Sequence, residues 1–303
     1  MVRQACVKLF LFFGALSFPA AAASQEAPAI LLVVAHPDDE AMFAGSVYKI
    51  THILGGHVDL VTITDGSGGF SYSQLAEPIY GLDLTDETVA RKHLPAIRKK
   101  ELEAGGKIIG IRNHFYLDQF DNAYTENVDT ILSHVWNADK VRSRLREIMT
   151  NTDYDFVFVH LPIPKFHAHH KSASILALDA VQGLPDSQRP VVLGCFIGAR
   201  EAEQDLVPND FVGLPYYPIT RLRTDVQPFI FDRTEKLDPN GRLDYRIVVN
   251  WLIAEHKTQG TMQLLVNTGE IERFWFFESN DPARIAQTAD FFERLAVPAL
   301  AEE

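Results

Sequence analysis

Apolar residues along this chain occur in two patterns, which predict alternating strands and helices. The five apolar residues at 30–34, three of them β-branched, predict a buried strand of a parallel sheet. Spaced apolar residues at 42–54, which end before Gly55 and Gly56, predict a helix with a glycine stop. By the same criteria we predict further strands at 58–64, 114–117, 156–160, 191–197 and 274–277, and further helices at 87–109, 139–149, 172–181, 243–256 and 281–297. This alternation predicts an α/β fold: a Rossmann-like, mostly parallel sheet with helices on both faces, in a three-layer α/β/α arrangement.

Two long segments lack either pattern. Residues 70–86 contain Ser, Tyr, Pro and Gly and are predicted to form a loop. Residues 199–242 are rich in Pro, Tyr and Asp, and we expect loops there that shape a cleft. Residues 24–303 are therefore predicted to form a single domain, with 199–242 as a substrate-shaping insertion.

The first 23 residues have the pattern of a secretory signal peptide. Arg3 and Lys8 precede an apolar stretch at 9–16, and the small residues at 19–23 form an Ala-x-Ala-like cleavage site. A membrane span needs about 20 apolar residues, so this stretch is short for one. We predict cleavage after Ala23 and Sec-type export to the periplasm or the medium, without stable membrane insertion afterwards. An uncleaved anchor is the alternative.

Charge and cysteine content narrow the classes of partner. The formal net charge is −12, which argues against nucleic acid or an anionic membrane surface as the main partner but not against a neutral small molecule or sugar. Cys6 would leave with the signal peptide, and Cys195 lies in an apolar run where core packing is expected. Nothing in the pattern indicates an oligomeric state.

Polar residues follow the first predicted strand where it ends. Residues 35–40 read Ala-His-Pro-Asp-Asp-Glu, and ligands of open α/β sheets bind at the carboxyl ends of the strands. A histidine beside carboxylates suits a divalent metal, with a spare carboxylate as a base. A plain helix start is the alternative, in which Asp38 caps the helix and Glu40 favours its first turn.

A second polar cluster, His167-Ala168-His169-His170, follows the predicted strand 156–160. It therefore falls at the same rim of the sheet as the hexapeptide. A histidine-rich surface segment is the alternative reading, but the shared rim favours a metal site.

These motifs together resemble the PIG-L/LmbE-like deacetylases. The hexapeptide is followed, in that family's order and spacing, by Thr64-Asp65-Gly66, Arg98-Lys99-Lys100-Glu101 and His167-x-x-His170. His256-Lys257-Thr258-Gln259 is similar to the family's late His-x-Ser-Gln segment, with Thr258 in place of Ser. The resemblance spans residues 28–260.

The resemblance implies a zinc ion, or another divalent metal, held by His36, Asp39 and His170. Asp38 is then the general base, and protonated His167 stabilises the oxyanion. The family usually has an aspartate where this chain has His169, which either removes a supporting carboxylate or makes His169 a competing ligand.

Other polar residues have open roles at this point. Arg98 and Asp118 are expected to face the same rim and to hold sugar hydroxyls, although Arg98 and Glu101 also suit a solvated helical pair. Asp65 either orients a metal-bound histidine or only forms an Asp-Gly turn. Glu40 is expected to support the helix start.

The implied activity is hydrolysis of the acetyl or other acyl group from an N-acetylglucosamine-type or related N-acyl substrate, either a small molecule or a glycan. A non-catalytic, metal-dependent carbohydrate-binding protein is one alternative. Metal-assisted phosphoester hydrolysis is another, disfavoured because one metal is inferred and no second carboxylate bridge is present.

Overall fold

The structure is a computed structural model that describes residues 27–122, 124–201, 207 and 210–298. The predicted signal peptide, 1–23, lies outside the described residues. The strands are β1 (Ala29–Val34), β2 (His57–Thr64), β3 (Ile111–Gln119), β4 (Phe156–His160), β5 (Val191–Gly198), β6 (Phe229–Asp232) and β7 (Ile271–Phe276). The helices are α1 (Ala44–His52), α2 (Glu77–Tyr80), α3 (Glu87–Ile109), α4 (Val128–Thr130), α5 (Ala138–Asn151), α6 (Ala168–Gln182), α7 (Tyr245–Glu255) and α8 (Ile285–Ala296).

The seven strands form one mostly parallel sheet in the order β3-β2-β1-β4-β5-β7-β6. The first five strands in this order are mutually parallel, whereas β7 runs antiparallel to both β5 and β6. Strand β1 pairs with β2 on one side and with β4 on the other, so the order of the strands reverses direction at β1. The space beyond the carboxyl ends of β1 and β4 is therefore the switch point of the sheet, where ligands of such folds bind.

Two apolar cores, one on each face of the sheet, account for the layered arrangement. Leu31 and Val33 of β1 pack with residues of α5 and α6, and Ile30 and Leu32 pack on the other face with residues of α1, α3, α7 and α8. Successive side chains of a strand point to opposite faces, so a strand covered on both faces is continuously apolar. The predicted α/β class with helices on both faces is confirmed.

The segment 199–242 is not made of loops alone. It contains β6, a short strand at the edge of the sheet that pairs with β7. Its sequence, Phe-Ile-Phe-Asp, carries little pattern over four residues, and its pairing partner lies about 40 residues further along the chain. Whether the segment shapes substrate binding stays a prediction.

Other element bounds differ in ways that local contacts explain. Helix α6 begins at Ala168 rather than 172, because the His167 side chain accepts a hydrogen bond from the His169 amide and caps the helix. The segment 70–86 contains α2 and short 3₁₀ turns. Cys195 is buried in the core, as predicted. Within the described part of the chain, no helix combines the length and apolar character needed to cross a membrane.

Candidate active site

The carboxyl ends of β1 and β4 bring His36, Asp39 and His170 together. His36 Nδ1 lies 3.0 Å from His170 Nε2 and 3.5 Å from Asp39 Oδ2, and His170 Nε2 lies 3.2 Å from Asp39 Oδ1. The backbone amides of Ala35 and His36 donate to Asp39 Oδ2 at 3.0 and 2.7 Å, which holds this carboxylate in place. Two segments that are far apart in the sequence thus present donor atoms from three residues to one point.

The donor set fits a tetrahedral divalent metal. In a tetrahedral zinc site with bonds near 2 Å, two ligand atoms lie about 3.3 Å apart. Two separations in this cluster lie close to that value: 3.0 Å between His36 Nδ1 and His170 Nε2, and 3.2 Å between His170 Nε2 and Asp39 Oδ1. Two imidazoles and one carboxylate are also a known catalytic zinc set that leaves a position open. These residues are therefore suited to hold zinc.

Ionisation in the cluster is strongly coupled to burial and to neighbouring charges. Burial lowers the pKa of His36, but Asp39 and the other nearby carboxylates raise it to about 9. Burial would raise the pKa of Asp39, but the facing histidines, His170 above all, hold it well below its usual range. A metal bound here would therefore displace a proton from the imidazole side of the cluster, not from the carboxylate.

Asp38 lies beside this cluster but does not join it. Burial raises the pKa of Asp38 to about 6, against the opposing effect of Arg98, whose Nη2 lies 3.2 Å from Asp38 Oδ1. Arg98 also donates to the carbonyl oxygens of Gly66 and Pro37 at 2.6 and 2.9 Å. Arg98 and Glu101 are both buried, so they are not a solvated helical pair. Arg98, which lies on α3, therefore holds the loop that follows β1 in position.

The geometry around His167 corresponds to a neutral imidazole rather than the protonated ring expected. Its Nδ1 accepts a hydrogen bond from the His169 amide at 3.0 Å, so the proton of a neutral ring is on Nε2. Burial, together with His36 and His170, lowers the pKa of His167 to about 3. Neutral His167 therefore offers an N–H donor from Nε2.

His169 is buried and points into the site. Its Nδ1 lies 2.9 Å from His36 Nε2, and its Nε2 lies 2.5 Å from Asn122 Oδ1. Asp121 Oδ1 is 3.4 Å from His169 Nδ1. His36 Nε2 is the ring nitrogen remote from Asp39 and His170, so His169 occupies the supporting position that the resemblance gives to an aspartate. His36, His167 and His169 form a second group with metal-ligand spacing.

Two residues named from the sequence lie outside this cluster. Asp118 is an exposed residue whose carboxylate pairs with Lys99 Nζ at 2.6 Å, and it does not line the cavity described below. Asp65 accepts a hydrogen bond from the Ser67 amide at 2.9 Å. This contact corresponds to the Asp-Gly turn, the second of the two roles considered for Asp65, and not to the orientation of a histidine.

Two buried contacts behind the site were not predicted. Glu40 lies in the first turn of the 3₁₀ helix Asp39–Phe43, as expected, but it is also fully buried and lies 2.6 Å from His256 Nε2. Glu101 accepts a hydrogen bond from the Thr258 hydroxyl at 2.5 Å. The late segment 256–259 is thereby attached to the hexapeptide and to α3. The resemblance of this segment to the family's His-x-Ser-Gln segment indicated that it belongs near the site. It did not indicate that Glu40 and Glu101 are its partners.

A polar cavity of about 520 Å³ opens in front of the cluster. This volume lies within the range of small-molecule sites. Most residues of its wall are polar or charged, and they include His36, Asp38, Asp39, Arg91, Arg98, Asp121, Asn122, His167, His170 and Gln259. Phe70, Tyr72, Tyr124 and Met262 add apolar surface to the same wall.

Comparison with known families agrees with this site. Residues 31–181 match the PIG-L family, described as GlcNAc-PI de-N-acetylase. The chain belongs to the PIG-L family. The matched region contains His36, Asp39 and His170 as well as Asp38 and His167, and it places the chain among the PIG-L/LmbE-like deacetylases.

Individual relatives are distant. The chain is 28% identical over 185 residues to a Bacillus cereus protein named "Probable N-acetyl-alpha-D-glucosaminyl L-malate deacetylase 2". The aligned region covers 59% of this chain and 74% of the relative. Teicoplanin deacetylase Orf2, solved in a zinc-inhibited form, is 17% identical with a TM-score of 0.50, over 81% of this chain and 96% of that one. N,N'-diacetylchitobiose deacetylase of Pyrococcus horikoshii is 17% identical with a TM-score of 0.42, over 81% and 82%. At this identity the structural likeness concerns the fold alone.

Proposed function

We propose that this PIG-L family protein is a zinc-dependent N-deacylase that hydrolyses the amide of an N-acetylglucosamine-type or related N-acyl substrate. The observation that carries the proposal is the convergence of His36, Asp39 and His170 beside Asp38, a carboxylate that is not needed as a ligand. A protein that only bound a sugar through a metal would have no use for such a base. Its export stays a prediction from the signal-peptide pattern.

The residues that would hold the metal are His36, Asp39 and His170. When bound there, zinc supplies a Lewis acid and lowers the pKa of water to about 7. Asp38 lines the cavity next to these ligands, where it accepts the proton of the water that attacks the amide carbon. Asp38 then returns this proton to the departing nitrogen, so the products are a carboxylate and a free amine.

His167 is assigned to the carbonyl oxygen. With Nδ1 engaged by the His169 amide, its Nε2–H is free to donate to the oxygen as negative charge develops there. A neutral donor serves this purpose because its hydrogen bond to the oxygen strengthens as the oxygen becomes an anion. Arg98 keeps Asp38 in place rather than contacting sugar, because its guanidinium is used by Gly66, Pro37 and Asp38.

An amino sugar is the proposed substrate class for two reasons. The polar cavity offers backbone and side-chain groups to hydroxyls, and the curated relative is named for an N-acetylglucosaminyl substrate.

The test is amine release from N-acetylglucosamine and its glycosides by zinc-loaded protein. We expect Asp38→Asn to lower kcat by roughly 10²–10⁴-fold with zinc content unchanged, because it removes the general base but no ligand. Asp39→Ala should lose both zinc and activity. Asp118→Asn, a carboxylate change outside the cavity, is the matched control and should leave activity unchanged. Equal activity of Asp38→Asn and the unaltered protein would refute the mechanism.

A further inference from the structure

A second cavity, of about 230 Å³, adjoins the proposed metal site. Asp38, Asp39 and His170 line both this cavity and the polar one. The reacting group of any substrate that extends into both would therefore lie at this shared wall, beside the base and the metal ligands.

The rest of the second cavity is mainly apolar, unlike the polar cavity. Its wall is built from the segment after β1, the loop before α6, the end of β5, α7 and the 3₁₀ turn after it: Met42, Phe166, Ile197, Ile253, Met262 and Leu265. Leu265 is 43% exposed, so the cavity reaches the surface there. Phe166 packs on the His170 ring at 4.6 Å and forms the end next to the metal ligands.

Two polar residues of this wall, Arg233 and Thr268, are engaged by the protein itself. Arg233 donates from Nε to Glu272 at 2.7 Å, and its Nη2 donates to the carbonyl oxygens of Ala41 and Met42. The Thr268 hydroxyl donates to the Leu265 carbonyl oxygen at 2.7 Å. Arg233 is therefore neutralised by Glu272 and is not a free cation for a substrate carboxylate or phosphate.

We propose that this apolar cavity holds the hydrocarbon chain of an N-acyl group longer than acetyl, so that the preferred substrate is a medium-chain N-acyl amino sugar. The inference rests on the proposed function. A trans amide directs its two substituents away from each other, so a sugar in the polar cavity sends the acyl chain to the other side of the carbonyl. At about 30 Å³ per water, the cavity has room for about eight water-sized groups, whereas an acetyl methyl fills one.

The test uses zinc-loaded full-length protein and glucosamine N-acylated with linear chains of increasing length, from acetyl to decanoyl, with released glucosamine as the readout. Burial of each methylene contributes an increase of about four-fold in kcat/KM. We expect this rise to continue to about octanoyl and then to level off, because the cavity is then filled.

A pair of neighbouring residues provides matched variants. Leu265→Trp narrows the mouth of the cavity, and because Leu265 is half-exposed the substitution leaves the core intact. We expect it to lower the ratio of octanoyl to acetyl kcat/KM at least ten-fold. Leu264→Trp is the control, since Leu264 is 79% exposed and does not line the cavity, and this ratio should not change.

The outcomes separate the two proposals. Acetyl release with kcat/KM flat or falling along the series overturns the acyl-chain inference and leaves the proposed function standing. If no substrate of the series releases glucosamine, the proposed function is overturned. Calorimetric binding of the same series then decides the inference: affinity that rises with chain length supports it, and affinity independent of length overturns it.

Discussion

His36 Nε2 and His169 Nδ1 are hydrogen-bonded at 2.9 Å, on the side of the His36 ring remote from its Nδ1 neighbours Asp39 and His170. His169 Nε2 in turn contacts Asn122 Oδ1, which as an amide oxygen accepts. His169 therefore carries its proton on Nε2 and accepts from His36 Nε2, so that Nδ1 is the nitrogen from which a bound metal would displace a proton. A histidine and an amide thus do what the resemblance assigns to an aspartate.

Removal of His169 should weaken metal binding. Loss of the group that orients a metal-bound imidazole typically costs 10–100-fold in affinity. We expect His169→Ala to lower zinc affinity by about this factor, measured by competition with a chromophoric chelator. His134→Ala, at an exposed histidine of the turn before α5, is the control. Unchanged affinity in His169→Ala would mean that His36 is oriented without this contact.

Substitution of His167 should lower turnover without loss of zinc. Removal of one donor to a developing oxyanion costs roughly 10²–10³-fold in kcat. We expect this loss for His167→Ala, with zinc content unchanged by elemental analysis. His167→Gln, which keeps an N–H donor, should retain more activity than the alanine variant. A loss of zinc from His167→Ala would instead indicate that His167 is a ligand.

Arg98 should matter for stability and turnover more than for sugar affinity. Its two hydrogen bonds to backbone carbonyls are buried, and hydrogen bonds of charged groups contribute about 1.5–3 kcal/mol each. We expect Arg98→Lys, which loses the two-pronged geometry, to lower the free energy of unfolding by about 2–4 kcal/mol and to lower kcat. Lys100→Arg, at an exposed position of α3, should change neither. An altered KM with unchanged stability would return Arg98 to a substrate-binding role.

A buried carboxylate remote from the site should make stability depend on acid pH. Burial would raise the pKa of Asp59, but hydrogen bonds from Arg112 and Tyr154, at 2.6 Å each, lower it below its usual value. A lowered folded-state pKa means that the stabilisation is present above the unfolded pKa of about 3.9 and is lost as the pH falls through the folded-state value.

Asp59→Asn should therefore destabilise the protein most at neutral pH. We expect a loss of about 1.5–3 kcal/mol at pH 7, measured by urea unfolding, with the difference from the unaltered protein shrinking below pH 4. Asp186→Asn, at an exposed residue paired with Arg189, is the control and should show no such pH-dependent difference. A constant difference at all pH values would show that the loss is due to packing, not charge.

Local sequence signals predicted some elements closely and others not at all. The predicted helix at 87–109 matches α3, because both of its ends are encoded locally. Asp86 caps the first turn by accepting a hydrogen bond from the Val89 amide, and Gly110 takes the left-handed conformation just after the last turn. Strand β6 was missed because a short edge strand is stabilised by pairing with a distant strand rather than by its own pattern.

The α/β class, the strand ends that carry polar residues, and the residues that we propose as metal ligands and base could all be predicted without a structure. These follow from local periodicity, from the rim rule for parallel strands and from a recognisable motif. The partners of His169, the burial of Arg98 and of the Glu40–His256 pair, and the exclusion of Asp118 from the cavity became visible only in three dimensions. Those depend on which side chains from distant segments meet, and on how much water packing removes around them.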